Sequence, residues 1–148
     1  MAKKGFELDQ VLNFRMEVEK MRKIDFATAK QEFEGANEQL MKEEEAMSHL
    51  IHEFADKQKD GISAAELLLY ADFSRKKTVD IREHRQAVIS LERKMTEKRE
   101  TLLDAAKDKK VLEAFKDRKI RAYNQGIAEK ERHFLDEISI QKTGHGKR

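Results

Sequence analysis

Proline and cysteine are both absent from the 148 residues, and glycine occurs only six times. Without cysteine there are no disulfides and no thiolate chemistry, a usage that fits a reducing compartment. No run approaches the roughly 18 apolar residues of a membrane span. Met1 to Gly5 lead into an acidic amphipathic helix, not into the apolar core of a signal peptide. These readings place the chain in the cytosol with no direct membrane insertion. Hydrophobic residues make up 39% against 41% charged, too few for a sheet or a thick globular core. There is no glycine-rich phosphate loop, cysteine nucleophile or Ser/His/Asp constellation, and two helices make no enclosed pocket. The expectation is a non-catalytic interaction protein with no cofactor.

What remains is helix. Glu, Lys, Ala, Leu and Arg dominate, all good helix formers that lose little rotamer freedom in a helix. Apolar residues recur throughout at helical spacing, which separates this chain from a charged disordered one. The one interruption lies in residues 60–67, Asp-Gly-Ile-Ser-Ala-Ala-Glu-Leu. Ser63 is placed to N-cap a second helix, Glu66 to complete a capping box, and Ile62 and Leu67 to form a hydrophobic staple. Gly61 supplies the positive φ that a helix C-terminus commonly needs. One break predicts an all-α antiparallel coiled-coil hairpin: helix 1 over about 6–58, a turn at about 59–62, and helix 2 over about 64–141. Residues 1–148 then form a single coiled-coil domain, with 142–148 as a disordered tail.

In the first helix the apolar seam is clearest at Phe26, Ala29, Phe33, Ala36, Leu40, Glu43, Met47, Leu50 and Phe54, in alternating steps of three and four. Upstream, Leu8, Val11, Phe14, Val18 and Met21 make a similar stripe, and joining the two requires a skip near Asp25. The second helix offers Ile81, His84, Val88, Leu91, Met95, Lys98, Leu102, Ala105, Lys109 and Leu112, then drifts toward Phe115, Tyr123, Ile127, Phe134 and Ile138. A turn centred near 60–62 makes the numbers of opposed residues sum to about 122. That sets Phe33 near Val88, Val18 near Leu102 and Val11 near Leu112. The helices are unequal, about 52 and 78 residues or roughly 78 and 117 Å, so about 20 residues of the second overhang. Phe134, Leu135, Ile138 and Ile140 on the overhang have no partner within the hairpin. Near the turn, Leu67, Leu68, Leu69, Tyr70 and Phe73 exceed what a two-helix seam uses, which suggests a binding tip unless Phe54 and the staple cover them.

Charge is uneven: residues 1–60 carry 10 basic and 14 acidic groups, and residues 61–148 carry 21 and 15. The two arms therefore attract. The excess lies late, in Lys107, Lys109, Lys110, Lys116, Arg118, Lys119 and Arg121, but Asp104, Asp108, Glu113 and Asp117 intersperse it as on a solvated face. His49 and His52 beside Glu53 have metal-ligand spacing without a third ligand, so they read as solvent-facing histidines and no metal is expected.

Phe6-Glu-Leu-Asp-Gln-Val-Leu-Asn-Phe-Arg15, Glu19, Phe26-Ala-Thr-Ala-Lys-Gln-Glu-Phe33 and Glu38-Gln-Leu40 resemble the flagellar type III export family FliJ. Gly61-Ile-Ser63, Tyr70-Ala-Asp-Phe73, Ile81, His84-Arg85, Lys107-Asp-Lys-Lys-Val-Leu-Glu113, Lys130-Glu131 and Leu135-Asp-Glu137 follow in that family's order and spacing. The resemblance implies a central stalk whose paired terminal ends enter the hexameric flagellar export ATPase, promoting its assembly and turnover. Its hairpin tip would meet the cytoplasmic domain of the membrane export gate, and the stalk would also escort export chaperones. It implies a cytoplasmic protein peripherally associated with the inner-membrane export apparatus. Carried over residue by residue, the gate-binding tip is Gln39, Leu50, Tyr70, Phe73 and His84. The resemblance implies that Leu8, Val11, Leu12, Arg15, Lys110, Arg118 and Arg121 form the ring-binding end. Glu43, Ala46, Lys77 and Asp80 depart from the apolar residues expected around the tip, which predicts a more charged gate contact. Two other classes fit the pattern. A generic coiled-coil scaffold or homodimer would self-associate through the overhang. A basic nucleic-acid-binding hairpin would bind with a steep salt dependence, but the interleaved aromatics of such surfaces are missing and no nucleic-acid partner is expected.

Overall fold

The computed structural model describes the backbone of residues 2–146 and the side chains of 8–142. Two helices account for it, α1 (Ala2–Asp60) and α2 (Ala64–Gly146), packed antiparallel as a helical hairpin. α2 continues past residue 141, where its end was expected; Lys147 and Arg148 lie outside the described residues.

The turn is built as its sequence dictates. Gly61 adopts φ 96, a conformation that a Cβ disfavours. The Glu66 N–H donates to the Ser63 hydroxyl at 3.2 Å, and the Leu67 N–H donates to the Ser63 carbonyl at 3.0 Å. The first of these is the N-cap bond that satisfies one of the orphan donors of the new helix. Ile62 is half-buried, whereas Leu67 stays exposed.

The contacts fall into two units, Met1–Glu19 with Ala105–Arg148, and Lys20–Asp104. In the unit that contains the turn, the covered positions of α1 are Arg22, Phe26, Ala29, Phe33, Ala36, Leu40, Glu43, Met47, Leu50 and Phe54. Those of α2 are Tyr70, Ser74, Lys77, Ile81, His84, Val88, Leu91, Met95, Lys98 and Leu102. In the other unit they are Leu8, Leu12, Arg15 and Glu19 against Ala105, Lys109, Leu112 and Lys116. Steps of three and four alternate without a break along both helices, the signature of a heptad seam.

The skip expected near Asp25 is therefore absent. The covered line runs through Arg15, Glu19 and Arg22, leaving Val11, Phe14 and Met21 exposed. The physical reason is that long charged side chains lay their aliphatic stems on the partner helix and pair their heads. Arg15 meets Asp108 at 3.5 Å, Glu19 meets Lys109 at 2.7 Å, and Arg22 meets Asp25 at 3.4 Å.

Register also differs from expectation. Asp60 is still helical and α2 begins at Ala64, so the turn centres on Ile62 and opposed numbers sum to 124, as in the Phe54–Tyr70 contact. Phe33 then lies level with Leu91 instead of Val88, Leu12 instead of Val11 faces Leu112, and Val18 lies level with Ala106. By this register Ala2 lies level with Ala122, and α2 extends about 24 residues further, roughly 36 Å at 1.5 Å per residue.

Candidate functional site

Near the turn, Phe54 and Tyr70 meet with ring centroids 5.3 Å apart at 55°. The Lys57 ammonium sits 5.5 Å from the Tyr70 ring centroid. Its hydrogen bond to Tyr70 holds the Lys57 pKa above the ordinary value. This stack separates two open hollows. One, of about 230 Å³, is lined by Leu50, Ile51, Phe54, Leu67, Tyr70, Ala71 and Ser74. The other, of about 320 Å³, is lined by Leu50, Lys57, Glu66, Leu69, Tyr70 and Phe73. Leu68, Leu69 and Phe73 are largely exposed, so the stack covers only part of the apolar tip. Open grooves with apolar walls accept a partner's side chains; they do not exclude water as a reacting site must.

The structure brings Leu50, Tyr70 and Phe73 of the expected tip residues into one strip beside the turn, with Gln39 and His84 farther along the helices. Leu50 and Tyr70 line both hollows, and Phe73 joins them in the second. The Lys77 ammonium lies 5.9 Å from the Phe73 ring centroid and donates to Glu43 at 2.6 Å. Gln39 reaches the same carboxylate at 3.5 Å, and His84 is half-buried on α2. The Lys77 hydrogen bond is the largest cause of the lowered Glu43 pKa. Beside it, Arg85 donates to Glu44 at 3.2 Å. The charged residues that depart from the family pattern thus pair with each other across the helices, except Asp80, which is exposed.

In the other unit, the expected ring-end residues divide. Leu8, Leu12 and Arg15 turn toward α2, whereas Val11, Lys110, Arg118 and Arg121 are exposed. Hydrogen bonding to Glu19 holds Lys109 above its ordinary pKa. Lys116 pairs with Asp9, which ties α1 to α2 near the start of the overhang. Sequence reasoning missed the exposed Phe14 and Met16 next to Val11, and the exposed Val111 on α2. Counting the heptad back from Phe26 would have put Val11, Phe14 and Met16 outside the α1 seam. Along the overhang, Phe134, Leu135 and Ile140 are exposed and Ile138 is half-covered.

His49 and His52 are exposed on α1. Among the described residues no group of three or more His, Cys, Asp or Glu is placed to hold a metal ion. No helix among them is long and apolar enough to cross a membrane.

An antiparallel pair of helices with an apolar tip places the chain in the helical-hairpin class. The family described as Flagellar FliJ protein matches residues 3–148. The chain belongs to the FliJ family, and is a component of the flagellar type III export apparatus. Comparison with curated proteins and with solved structures gave no match.

Proposed function

We propose that this protein is the central stalk of the flagellar export ATPase. The α2 overhang and the paired helix ends beside it enter the hexameric ring, promote its assembly and raise its turnover. The strip of Leu50, Tyr70 and Phe73, with Gln39 and His84 farther along, docks on the cytoplasmic domain of the export gate, and the chain escorts export chaperones between these partners. It works in the cytoplasm, peripherally associated with the inner-membrane export apparatus. The observation that carries this reading is the α2 extension beyond α1: about 24 residues whose Phe134, Leu135 and Ile140 are exposed. Large apolar side chains exposed in such number call for a partner. The exposed Lys110, Arg118 and Arg121 would meet acidic groups lining a pore. An asymmetric helix pair inside a near-symmetric ring binds its subunits unequally, and unequal binding is what biases their states in turn.

The test is ATP hydrolysis by the cognate export ATPase over a concentration series of this protein. Stimulation saturating near one chain per six ATPase subunits is expected. No stimulation of an ATPase shown to form hexamers would overturn the stalk reading.

A further inference from the structure

We propose that residues 8–19 of α1 are a strap that opens from residues 105–116 of α2 while the unit containing the turn stays closed, because ion pairs hold the strap where apolar packing holds the rest. The two contact units are sealed differently. In the unit with the turn, Phe26, Phe33, Leu40, Leu50 and Phe54 form the covered line of α1, and Ile81, Val88, Leu91 and Met95 that of α2. Along the strap, Arg15 and Glu19 take covered positions on α1, and Lys109 and Lys116 take them on α2. Leu8, Leu12, Ala105 and Leu112 are the apolar residues between them. Charge supplies attraction in place of area: Arg15 meets Asp108 at 3.5 Å, Glu19 meets Lys109 at 2.7 Å, and Lys116 pairs with Asp9. All three pairs join helix to helix within this one unit.

Such a seal opens more readily than an apolar one. An apolar side chain drawn out of a seam is hydrated at a cost proportional to its area. Separated ions recover their hydration, which offsets much of the lost attraction. Glu19 is 7% exposed, so it regains the most water on opening. The Arg15–Asp108 and Lys116–Asp9 pairs are partly exposed, so dissolved salt screens them. No glycine or proline occurs in residues 6–34, so α1 has no built hinge there. The strap therefore leaves by unravelling, since a short helical stretch without a packed face is marginal in water. It is a locally opening unit of the kind that a poorly buried segment makes. Opening uncovers Leu112 and frees Lys109 and Lys116, on the side of α2 that Ile120, Ile127 and Phe134 continue into the overhang. Under the stalk reading, on which this last consequence alone rests, the opened strap lengthens the α2 surface offered to the ring.

Spin labels test the strap in the full chain, and the absence of cysteine leaves no background labelling. Asn13→Cys with Lys110→Cys reads the strap, and Ala27→Cys with Thr96→Cys reads the unit containing the turn; all four positions are exposed. Double electron–electron resonance at low salt should give one dominant narrow distance for each pair. Between about 0.05 M and about 1 M salt the ratio of broad to narrow distances should rise on the order of tenfold for the strap pair and stay unchanged for the other. Lys109→Glu with Lys116→Glu should open the strap at low salt, and adding Asp9→Lys with Glu19→Lys should close it again. The Ala27→Cys, Thr96→Cys pair, placed in each of these variants, reports whether the hairpin itself persists. A strap pair that stays narrow at 1 M salt, two pairs that broaden together, or a charge-reversed strap that stays closed would each overturn the proposal. No ATPase takes part, so this reading and the stalk reading fail separately.

Discussion

The Lys77 ammonium of α2 donates to the Glu43 carboxylate of α1 at 2.6 Å, at two positions where a helix pair ordinarily places apolar side chains. Both side chains are largely covered, at 20% and 18% exposed. The ion pair joins elements 34 residues apart in sequence, so it forms only when the helices are in this register.

Acid should therefore weaken the hairpin through this pair. The hydrogen bond from Lys77 holds Glu43 below its ordinary value of 4.5. A carboxylate depressed on folding contributes stability that is complete above 4.5 and is lost as pH falls through the lower folded value. Melting followed by circular dichroism between pH 7 and pH 3 should show a falling midpoint below about pH 4.5. Glu43→Gln should lower the midpoint at neutral pH and flatten its acid dependence. An acid limb equally steep in the variant would assign the loss to other carboxylates.

A second pair offers the converse. Glu19 is 7% exposed and meets Lys109 at 2.7 Å. Hydrogen bonding raises Lys109 above 10.5, so its contribution is complete below 10.5 and is lost as pH rises through the higher folded value. Removing one partner leaves a covered charge unmatched, whereas replacing both with apolar groups of similar size removes the desolvation cost. Lys109→Leu alone should lower the melting temperature, and Glu19→Leu with Lys109→Leu should restore or raise it. A double variant less stable than the single would show that the charges are worth more than the packing.

These charged positions also mark where sequence pattern stops being informative. The α2 seam from Ile81 to Leu112 was legible because apolar residues recur there at nearly every expected step. Upstream of Asp25 the apolar count favours Val11, Phe14 and Met21, but the fold covers Arg15, Glu19 and Arg22. One helix's pattern does not reveal that Arg15 and Glu19 find opposite charges on the other, while Arg22 pairs with Asp25 on its own helix. The register slipped by two because nothing in Lys57 to Asp60 signals that the helix persists to its last residue. Of the tip, the spacing of Leu67 to Phe73 disclosed an apolar excess. Its assembly with Leu50, Phe54 and Lys57 from α1 depends on that register.

The turn makes a prediction independent of charge. Gly61 at φ 96 has open space where a Cβ would stand, so Gly61→Ala meets backbone strain and no collision. The cost should be about 1 to 2 kcal/mol. Ser63→Ala removes the bond that Glu66 donates at 3.2 Å, for about 1 kcal/mol. In a chain of this length each kcal/mol should lower the melting temperature by roughly 2 to 4 °C. Gly61→Asn, which tolerates the left-handed region better than alanine, should lose less.

At the tip, Phe73 is 50% exposed, so its ring contributes little to the hairpin. Phe73→Ala should leave helicity and melting nearly unchanged. If the strip docks on the export gate, the same change removes an aromatic anchor from the centre of an apolar groove. Calorimetry against the purified cytoplasmic domain should show a loss of about 2 kcal/mol, roughly 30-fold in affinity. A variant that binds normally would remove Phe73 from the contact.

The overhang decides the stalk reading most directly. Truncation after Ile120 removes Ile127, Phe134 and Ile138 but retains Lys116 and its ion pair with Asp9. The remaining α2 still spans every seam position that faces α1, from Tyr70 to Lys116. Circular dichroism should therefore show helicity reduced only by the missing residues, with the melting transition close to that of the full chain. If the overhang is what the ring grips, stimulation of the export ATPase should be abolished while gate binding through the tip persists. Stimulation that survives the truncation would shift ring contact to the exposed residues that remain, Val11, Phe14 and Lys110, a surface that single substitutions there would then test.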